Sequence, residues 1–469
     1  AISAEPNELD PHRMKIGPDN FGTWNMFERL FERDLDGVLV PGLATEWEVS
    51  DDGREFTVSL REGVLFHDGT PMTAEDAKFS LERYASDENN RYAFNLEGVS
   101  VEVVDELTVV VSFPEPNGGF LVGGGWAHIV PRAYAEQGAD VLSAAPVGTG
   151  AFKFVERTIG EGFTVERFDD YWGDKASYER VEFRFIPDSN ARVSALRAGE
   201  VDVIDAVPPQ LVAGLESDSS VKTVTSVNGD NVWLQFNNRQ PDKPWADVRV
   251  RQAMAYAIDQ ETLKEEIQFG LGVLHADVTP LYYGYVEGQP AQYPYDPAKA
   301  RELLAEAGYA DGFEFNFVTQ VDGRSPYSAA YGQAVAGYWE AVGLRPNLQI
   351  LEYSQWVDSI FALDGVLWML WGSTGTFDPQ YRLIAGHTCD GPLTNQCDPD
   401  FDAMVEELTQ ITDLDERAAK YTEIFQYIDD QAYSIYGFTI EGTFAMNTNV
   451  NWQPWTGVPY TKMTNAQPA

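Results

Sequence analysis

Apolar and polar residues alternate through much of the first third of the chain, which is the pattern of strands that bury one face. The stretch WEVSDDGREFTVSL, residues 47–60, predicts two such strands around a turn at residues 51–53. The stretch VEVVDELTVVVSF, residues 101–113, repeats the pattern and predicts a second pair. We therefore expect this part of the molecule to be rich in strands.

From residue 247 the apolar residues recur at the three-to-four-residue spacing that is typical of helices. Helical structure is predicted to begin at Asp247 and to cover residues 247–267, and further helices are predicted at 400–412 and 414–429. Strands such as FEFNFVTQ and LWMLW alternate with these helices. This half of the chain is therefore predicted to form an α/β domain.

The segment DPAKARELLAEAGY, residues 296–309, carries signals for both ends of a helix. Asp296 is a predicted N-cap, Pro297 suits the first helical position and Gly308 suits the end. We expect one short helix here.

The stretch LFHDGTPMTAEDAKFSLER, residues 65–83, contains the residue types of a nucleophilic triad. Thr73 followed three residues later by Asp76 is, however, also the pattern of a capping box at the start of a helix. Ser80 would lie on that helix, and His67 would lie in the turn before it. We therefore predict that these polar residues serve structure and not catalysis.

The chain has 469 residues, of which 44% are hydrophobic, so it can bury the cores of two or three domains. Its 32 basic and 74 acidic residues give a net charge of −42, which opposes binding to nucleic acid and to anionic lipid surfaces. The acids are spread along the chain, which indicates a heavily solvated surface suited to salty surroundings. No stretch is apolar and long enough to span a bilayer.

The chain starts at Ala1 without a basic and apolar leader, so we expect an exported protein whose signal has been removed, although a chain shortened at its start would look the same. Cys389 and Cys397 lie close together in the loop CDGPLTNQC. We expect them to form a disulfide, although a reduced pair is the alternative. A structural zinc site uses four protein ligands, so these two cysteines would need two more to bind zinc.

The run LATEWEVSDDGREFTVSLREGVLFHDGTPMTAEDAKFSLER, residues 43–83, resembles the signature region of the bacterial extracellular solute-binding proteins of family 5. Further segments follow in that family's order: EPNELDPH, PVGTGAFKF, YWGDKASYERVEFRFIPDSNARVSALRAGEVDVID, WLQFNNRQPDKPWADVRVRQAMAYAID, YDPAKARELLAEAGY and CDGPLTNQCDPDFDAMVEEL. The resemblance covers essentially the whole chain. It implies a receptor of an ABC importer, in the group that includes dipeptide-, oligopeptide- and nickel-binding receptors.

The resemblance also implies an α/β, two-lobed fold of the periplasmic-binding-protein kind (type II, cluster C) with an extra strand-rich inserted domain. Lobe I would combine residues 1–41, 151–245 and 441–469, the inserted domain would span 42–150, and lobe II would span 246–440. A solute would bind in the interlobe cleft, hinge closure would trap it, and the receptor would deliver it to the permease subunits. We expect a periplasmic monomer that needs no cofactor or metal and binds no nucleic acid.

Three stretches resemble the cleft lining of this family: NFGTWNMFERLF, the glycine-rich loop NGGFLVGGGWAHIVP, and LWMLWGSTGTFDPQYR. The third follows a strand of lobe II at its carboxyl end, which is where α/β sheets place ligands. The candidate ligand-binding residues in these stretches are Thr23, Trp24, Trp126, Trp371, Ser373, Thr374 and Asp378. For each tryptophan, a place in a hydrophobic core is the alternative.

Arg324 matches the position at which dipeptide-binding relatives clamp the ligand carboxylate, and a guanidinium suits that bidentate pairing. The same relatives hold the ligand amine with an acid before the Asp-Pro of the third stretch, where this chain has no acid until Asp378. Either Asp378 takes that role or the ligand has no free amine there. A short peptide or a peptide-like amino acid derivative is the leading ligand class.

Other functions are also compatible with parts of the sequence. Stacked tryptophans with Ser and Thr hydroxyls would suit an oligosaccharide, and His387 could contact a nickel chelate, although a lone His is more often structural. A chemosensory adaptor would share the fold and differ only in its partner. A secreted glycosidase could use adjacent carboxylates such as Asp169/Asp170 or Asp429/Asp430, but among 74 acids such pairs arise by chance. We predict that the protein is not an enzyme.

Overall fold

The structure is a computed structural model that mixes helices with several sheets, as the sequence predicts. It describes the whole chain except residues 14–18, 36–37, 88–89, 91–92, 124–126, 139, 275–281, 283, 287–292, 322–326, 363–364, 372–377, 392–393, 395 and 456–461. For residues 94–95, 227–230, 361, 368–371 and 381 it describes the backbone alone.

The chain divides into two compact units. The first unit comprises residues 1–226, 410–412 and 442–469, and the second comprises 227–409 and 413–441. The first unit therefore includes both the expected inserted domain and most of the expected lobe I. The three-part division proposed from the sequence stays a prediction.

The first unit contains seven α-helices among its described residues: α1 (Asn20–Met26), α2 (Ala74–Ser86), α3 (Gly119–Val122), α4 (Arg132–Ala135), α5 (Val141–Ala144), α6 (Ser189–Arg197) and α7 (Pro209–Glu216). Its strands are β1 (Phe31–Arg33), β2 (Leu39–Pro41), β3 (Ala44–Val49), β4 (Glu55–Leu60), β5 (Ser100–Asp105), β6 (Thr108–Ser112), β7 (Phe152–Thr158), β8 (Gly162–Arg167), β9 (Arg180–Arg184) and β10 (Val203–Ile204). The strand β11 (Val221–Phe236) begins in this unit and ends in the second.

The second unit contains the helices α8 (Val248–Tyr256), α9 (Gln260–Gln268), α10 (Pro297–Glu306), α11 (Ser328–Ala341), α12 (Tyr353–Ala362), α13 (Gln380–His387), α14 (Pro399–Gln410) and α15 (Leu414–Gln431). Its strands are the end of β11, β12 (Glu314–Gln320), β13 (Arg345–Leu351), β14 (Val366–Trp371) and the start of β15 (Ser434–Asn447). The short strands β16 (Val450–Asn451) and β17 (Gln467–Pro468) then belong to the first unit.

The two predicted strand pairs of the first unit form one four-stranded antiparallel sheet in the order β3-β4-β6-β5. Phe56, Val58 and Leu60 are buried on one face of β4, as their alternation with polar residues predicts. They pack with α2 residues such as Leu81 into one hydrophobic core. A separate antiparallel sheet, β7-β8-β9, contributes to another core of the same unit.

The polar residues of the stretch 65–83 are structural, as predicted. The backbone nitrogen of Thr73 donates to the Asp76 carboxylate at 2.9 Å, which completes the capping box of α2. The Ser80 hydroxyl donates to the Asp76 carbonyl at 2.7 Å and accepts from the Val130 nitrogen at 2.9 Å. The His67 ring instead bridges two loop backbone groups, so it forms no dyad with Ser80.

The sheet of the second unit runs in the order β15-β11-β14-β12-β13. Strands β12, β13 and β14 are parallel, while β11 and β14 are antiparallel. Helix α10 begins and ends as predicted, because the Asp296 carboxylate accepts from the nitrogens of Ala298 and Lys299 at 3.0 and 2.9 Å and Gly308 has a φ of +89°. The parallel strands and their covering helices confirm the predicted α/β character of this half.

The predicted helical stretch at 247–267 differs in one respect from the structure. It forms two helices, α8 and α9, instead of a continuous one. Asp259 interrupts it because its carboxylate accepts from the nitrogen of Thr262 at 3.0 Å and so caps a new helix. Across the described ranges, no helix is sufficiently long and apolar to cross a membrane.

Candidate functional site

The first two candidate residues lie on α1, in the first unit. Thr23 is fully buried, and its hydroxyl lies 3.4 Å from the Asp19 carbonyl, to which it donates. Trp24 is half-buried, and its indole nitrogen donates to the Asn20 side chain at 2.7 Å. The Arg29 guanidinium lies 4.9 Å from the centre of the Trp24 ring. Trp24 therefore keeps a partly accessible face, whereas Thr23 faces the protein interior.

Four other candidates, Trp126, Arg324, Ser373 and Thr374, lie outside the described residues. Trp371 is the last residue of β14, where its backbone pairs with Asn231 of β11. It therefore lies at the carboxyl end of a strand, as the sequence predicts. The roles of these five residues stay predictions.

Asp378, the last candidate, is buried at the start of α13 in the second unit. One carboxylate oxygen accepts from the Nε of Arg417 at 2.8 Å, and the other accepts from the Tyr421 hydroxyl and from the Gln380 nitrogen at 2.8 Å. Arg417 is also fully buried, and it donates further to the Leu408 carbonyl at 2.9 Å. A ligand amine at Asp378 would therefore have to share the carboxylate with an internal arginine.

Electrostatics supports this description of the buried network. Burial alone would lower the pKa of Arg417, but the Asp378 carboxylate raises it above the ordinary value. Burial also raises the pKa of Tyr421 well above its ordinary value. The Tyr421 hydroxyl is therefore protonated and donates a hydrogen bond to Asp378. The network holds the end of the 367–382 stretch against α15.

The predicted disulfide between Cys389 and Cys397 is confirmed, with Cα atoms 4.2 Å apart. The loop that it closes is also held from outside, because Arg239 donates to the Cys389 carbonyl and, at 3.2 Å, to the Gln396 carbonyl. The Cys389 nitrogen donates to Asp402 of α14 at 3.1 Å. The crosslink therefore joins the end of α13 to the start of α14 through a closed and anchored loop.

Reduction of this disulfide is expected to lower the free energy of unfolding by about 2–3 kcal/mol, because a short closed loop loses its constraint in the unfolded chain. The measurement is thermal unfolding with and without dithiothreitol. A Cys389→Ser/Cys397→Ser variant is the control, because reductant should leave its melting temperature unchanged. Two thiols that can be labelled in the untreated native protein would contradict the crosslink.

His387, the alternative metal contact, is buried at the end of α13. Its ring lies 5.2 Å from that of Trp233 and 6.0 Å from that of Phe401. Burial, with a contribution from the Arg382 charge, lowers the pKa of His387 to about 3, so the imidazole is neutral. Within the part of the chain that the structure describes, no group of three or more His, Cys, Asp or Glu could hold a metal ion.

A charged cluster next to α1 was not predicted from the sequence. Glu28 is buried and accepts from the Tyr171 hydroxyl at 2.6 Å and from the Trp172 indole nitrogen at 2.8 Å. Burial raises the pKa of Glu28. The only signal in the sequence is the run FERLFER, which places charges between buried phenylalanines.

Glu32, four residues later, has a guanidinium beside it. The Arg29 guanidinium lies 3.5 Å from its carboxylate. Burial alone would raise the pKa of Glu32, but Arg29 and Lys462 together bring it below the ordinary value. The cluster therefore combines two carboxylates with two cations, of which Arg29 lies over the Trp24 indole and Lys462 lies over the Trp455 indole.

Comparison with known proteins gives the context of these sites. The family model described as bacterial extracellular solute-binding proteins, family 5, matches residues 38–392. Heme-binding protein A of Haemophilus influenzae is 28% identical over 88% of this chain and 81% of its own length. The dipeptide-binding protein of Escherichia coli is 27% identical over 87% and 82%. A glutathione-binding protein of Salmonella paratyphi A is 32% identical over 67% of this chain and 62% of its own length.

A solved structure confirms the fold class. The structure of HbpA2 from Haemophilus parasuis superposes with a TM-score of 0.88 at 25% identity, covering 100% of this chain and 99% of that protein. The α/β fold of the periplasmic-binding-protein kind that the sequence implied is therefore correct.

Proposed function

We propose, because this chain belongs to the bacterial extracellular solute-binding proteins of family 5, that it is the receptor of an ABC importer for a short peptide or a peptide-like amino acid derivative. The observation that carries the proposal is the match to a dipeptide-binding protein along 87% of this chain. The receptor captures its solute and hands it unchanged to the membrane permease. Its place of action is the periplasm, because that is where receptors of this family work.

The buried network at Asp378 limits which groups of the ligand can bind at this position. Both carboxylate oxygens already accept hydrogen bonds from protein groups. The stretch GSTGTF before Asp378 contains no acid that could hold an ammonium group. We therefore infer that the ligand is not held through a free α-amine at this position, which is the second of the two alternatives that the sequence leaves open. Trp24, Trp126, Arg324, Trp371, Ser373 and Thr374 remain the proposed contacts.

The experiment that tests the proposal is native mass spectrometry of freshly purified protein, followed by release and identification of any co-purified small molecule. A mass that fits a short peptide or an acylated amino acid is the expected result. Masses spaced by hexose units, or the mass of a metal chelate or a heme, would instead indicate a receptor for that class of solute. If nothing co-purifies, thermal unfolding with dipeptides and with glutathione decides, because a ligand that binds the folded receptor stabilises it by an amount that grows with the logarithm of the ligand concentration relative to Kd. No shift with any peptide would overturn the proposal.

A further inference from the structure

A chain of hydrogen bonds in the first unit runs from Asp10 to the backbone of His128. The Asp10 carboxylate accepts from two guanidinium nitrogens of Arg83, at 3.0 and 2.5 Å. Arg83 also donates to the Nδ1 of His12 at 2.8 Å, and the Nε2 of His12 lies 2.7 Å from the His128 carbonyl. Asp10 and His12 are fully buried. The stretch EPNELDPH is therefore joined to the glycine-rich stretch NGGFLVGGGWAHIVP.

The two hydrogen bonds of the His12 ring show which nitrogen carries its proton. A guanidinium can only donate, so Nδ1 accepts from Arg83 and has no proton of its own. The ring is neutral at neutral pH, because burial lowers the pKa of His12 to about 4. Its single N–H therefore lies at Nε2 and donates to the His128 carbonyl.

The backbone around His128 is also paired with the chain that follows α1. Arg29 and His128 form an isolated antiparallel bridge, and the Ile129 nitrogen donates to the Glu28 carbonyl at 2.8 Å. His12 adds a buried side-chain hydrogen bond to the same short segment. The position of the His128 backbone relative to α1 therefore depends on both the bridge and His12.

The side chain of His128 connects this backbone to Trp24, one of the proposed solute contacts. The two rings lie 6.4 Å apart in an edge-to-face arrangement, and Phe27 packs against the His128 ring at 6.3 Å. Among the described residues, the buried Nδ1 of His128 has no hydrogen-bond partner. The ring is therefore oriented by packing and by the position of its own backbone, which His12 holds.

We propose that His12, held by Arg83, is a positioning residue for solute binding, which fixes the orientation of the Trp24 indole through His128. An aromatic side chain that is ordered before binding loses less conformational entropy when the solute arrives. A shift of the His128 backbone would move the ring that borders Trp24 and release this order. The proposal rests on the receptor function proposed above and adds a role for a residue that does not itself contact the solute.

Two substitutions of His12 separate its donor from the rest of the side chain. In His12→Gln the amide nitrogen takes the position of Nε2 and can still donate to the His128 carbonyl, whereas the shorter side chain of His12→Asn cannot reach it. Both variants leave the ion pair between Asp10 and Arg83 intact. His12→Gln is therefore the matched control for His12→Asn.

Fluorine NMR of the full chain labelled with fluorotryptophan reports the surroundings of Trp24 without any solute, once its resonance has been assigned by Trp24→Phe. We expect His12→Asn to shift this resonance and His12→Gln to leave it close to its wild-type position. An unchanged Trp24 resonance in folded His12→Asn would overturn the proposal. His128→Leu removes the ring and keeps the hydrogen bond from His12. It must shift the same resonance, so an unchanged spectrum would be equally decisive even if His12→Asn does not fold.

Calorimetric titration with Met-Leu and with glutathione measures the consequence for binding. His12→Asn is expected to weaken binding by about three- to tenfold and His12→Gln by less than about twofold, as for the loss of one buried hydrogen bond. In a Trp24→Phe background the effect of His12→Asn should largely disappear, because it acts through the indole. Equal losses in both backgrounds would indicate a general structural role and contradict the proposal. If the wild type binds neither probe, the peptide-receptor function fails, whereas the fluorine spectra still decide whether His12 positions Trp24.

Discussion

Replacing Arg417 with Met is expected to lower the free energy of unfolding by about 3–5 kcal/mol, because it leaves the buried Asp378 carboxylate without its charge partner. The guanidinium is fully buried and lies 2.8 Å from that carboxylate. Removal of the partner therefore costs the uncompensated desolvation of the acid in addition to the lost hydrogen bonds. Urea unfolding followed by far-UV circular dichroism measures the change.

A matched control lies one turn further along α15. Lys420 pairs with Glu407 and Glu423, whose side chains are 66% and 59% exposed. Lys420→Met removes the same charge from the same helix. Although the Lys420 side chain is only 9% exposed, the two carboxylates left without a partner are solvated, so the expected loss is about 0–1 kcal/mol. Equal losses for the two variants would show that Asp378 and Arg417 do not form the buried pair described above. Asp378→Asn combined with Arg417→Met should recover part of the loss, because no unpaired charge then remains.

The local signals in the sequence were enough to locate many elements. Capping residues act over three or four positions, so Thr73 with Asp76 and Asp296 with Pro297 could be assigned from the chain alone, and the structure confirms both helix starts. Apolar alternation likewise located β4 and its partner strands. The break between α8 and α9 was not predicted, because the helical spacing of apolar residues continues across it. Only Asp259, which caps the start of α9, marks the new helix.

Partners that are distant in sequence could not be predicted in the same way. Arg417 is 39 positions from Asp378, and the partners of Glu28 are more than 140 positions away. An isolated charge between apolar residues shows that some partner exists, but the fold decides which one. For this reason Asp378 looked like a candidate ligand contact in the sequence, whereas its carboxylate is occupied by internal donors in the structure.

The same limitation applies to the solute site. Family resemblance located the stretches around Trp24 and Trp371, and the structure places them on α1 and at the end of β14. Resemblance could not show that the chain near residue 463 reaches α1, where the Met463 nitrogen donates to the Asn25 side chain. Resemblance transfers the positions that relatives share, while the groups that distinguish this receptor have to come from its own contacts.

Replacing Asp429 with Asn is expected to stabilise the protein at pH 8 and to have little effect near pH 4. Burial, followed by the charge of neighbouring Asp430, raises the pKa of Asp429 to about 7 from an ordinary value of 3.8. A carboxyl group whose pKa is higher in the folded state binds a proton on folding between these two values. Its contribution is therefore fully favourable below about pH 4 and is lost as the pH rises through 7.

The size of the effect follows from the difference between the two pKa values. About three pKa units correspond to about 4 kcal/mol, so the Asn variant, which resembles the protonated acid in shape, should gain up to that amount above pH 7. Asp429 also lies in the last turn of α15, where a negative charge opposes the helix dipole. Chemical denaturation at pH 4, 6 and 8 measures the profile for the wild type, for Asp429→Asn and for Asp430→Asn. The Asp430 variant should gain less, because the Asp430 charge contributes less than burial does to the raised pKa of Asp429. Equal stability of the wild type and Asp429→Asn at pH 8 would show that Asp429 ionises normally in the folded protein.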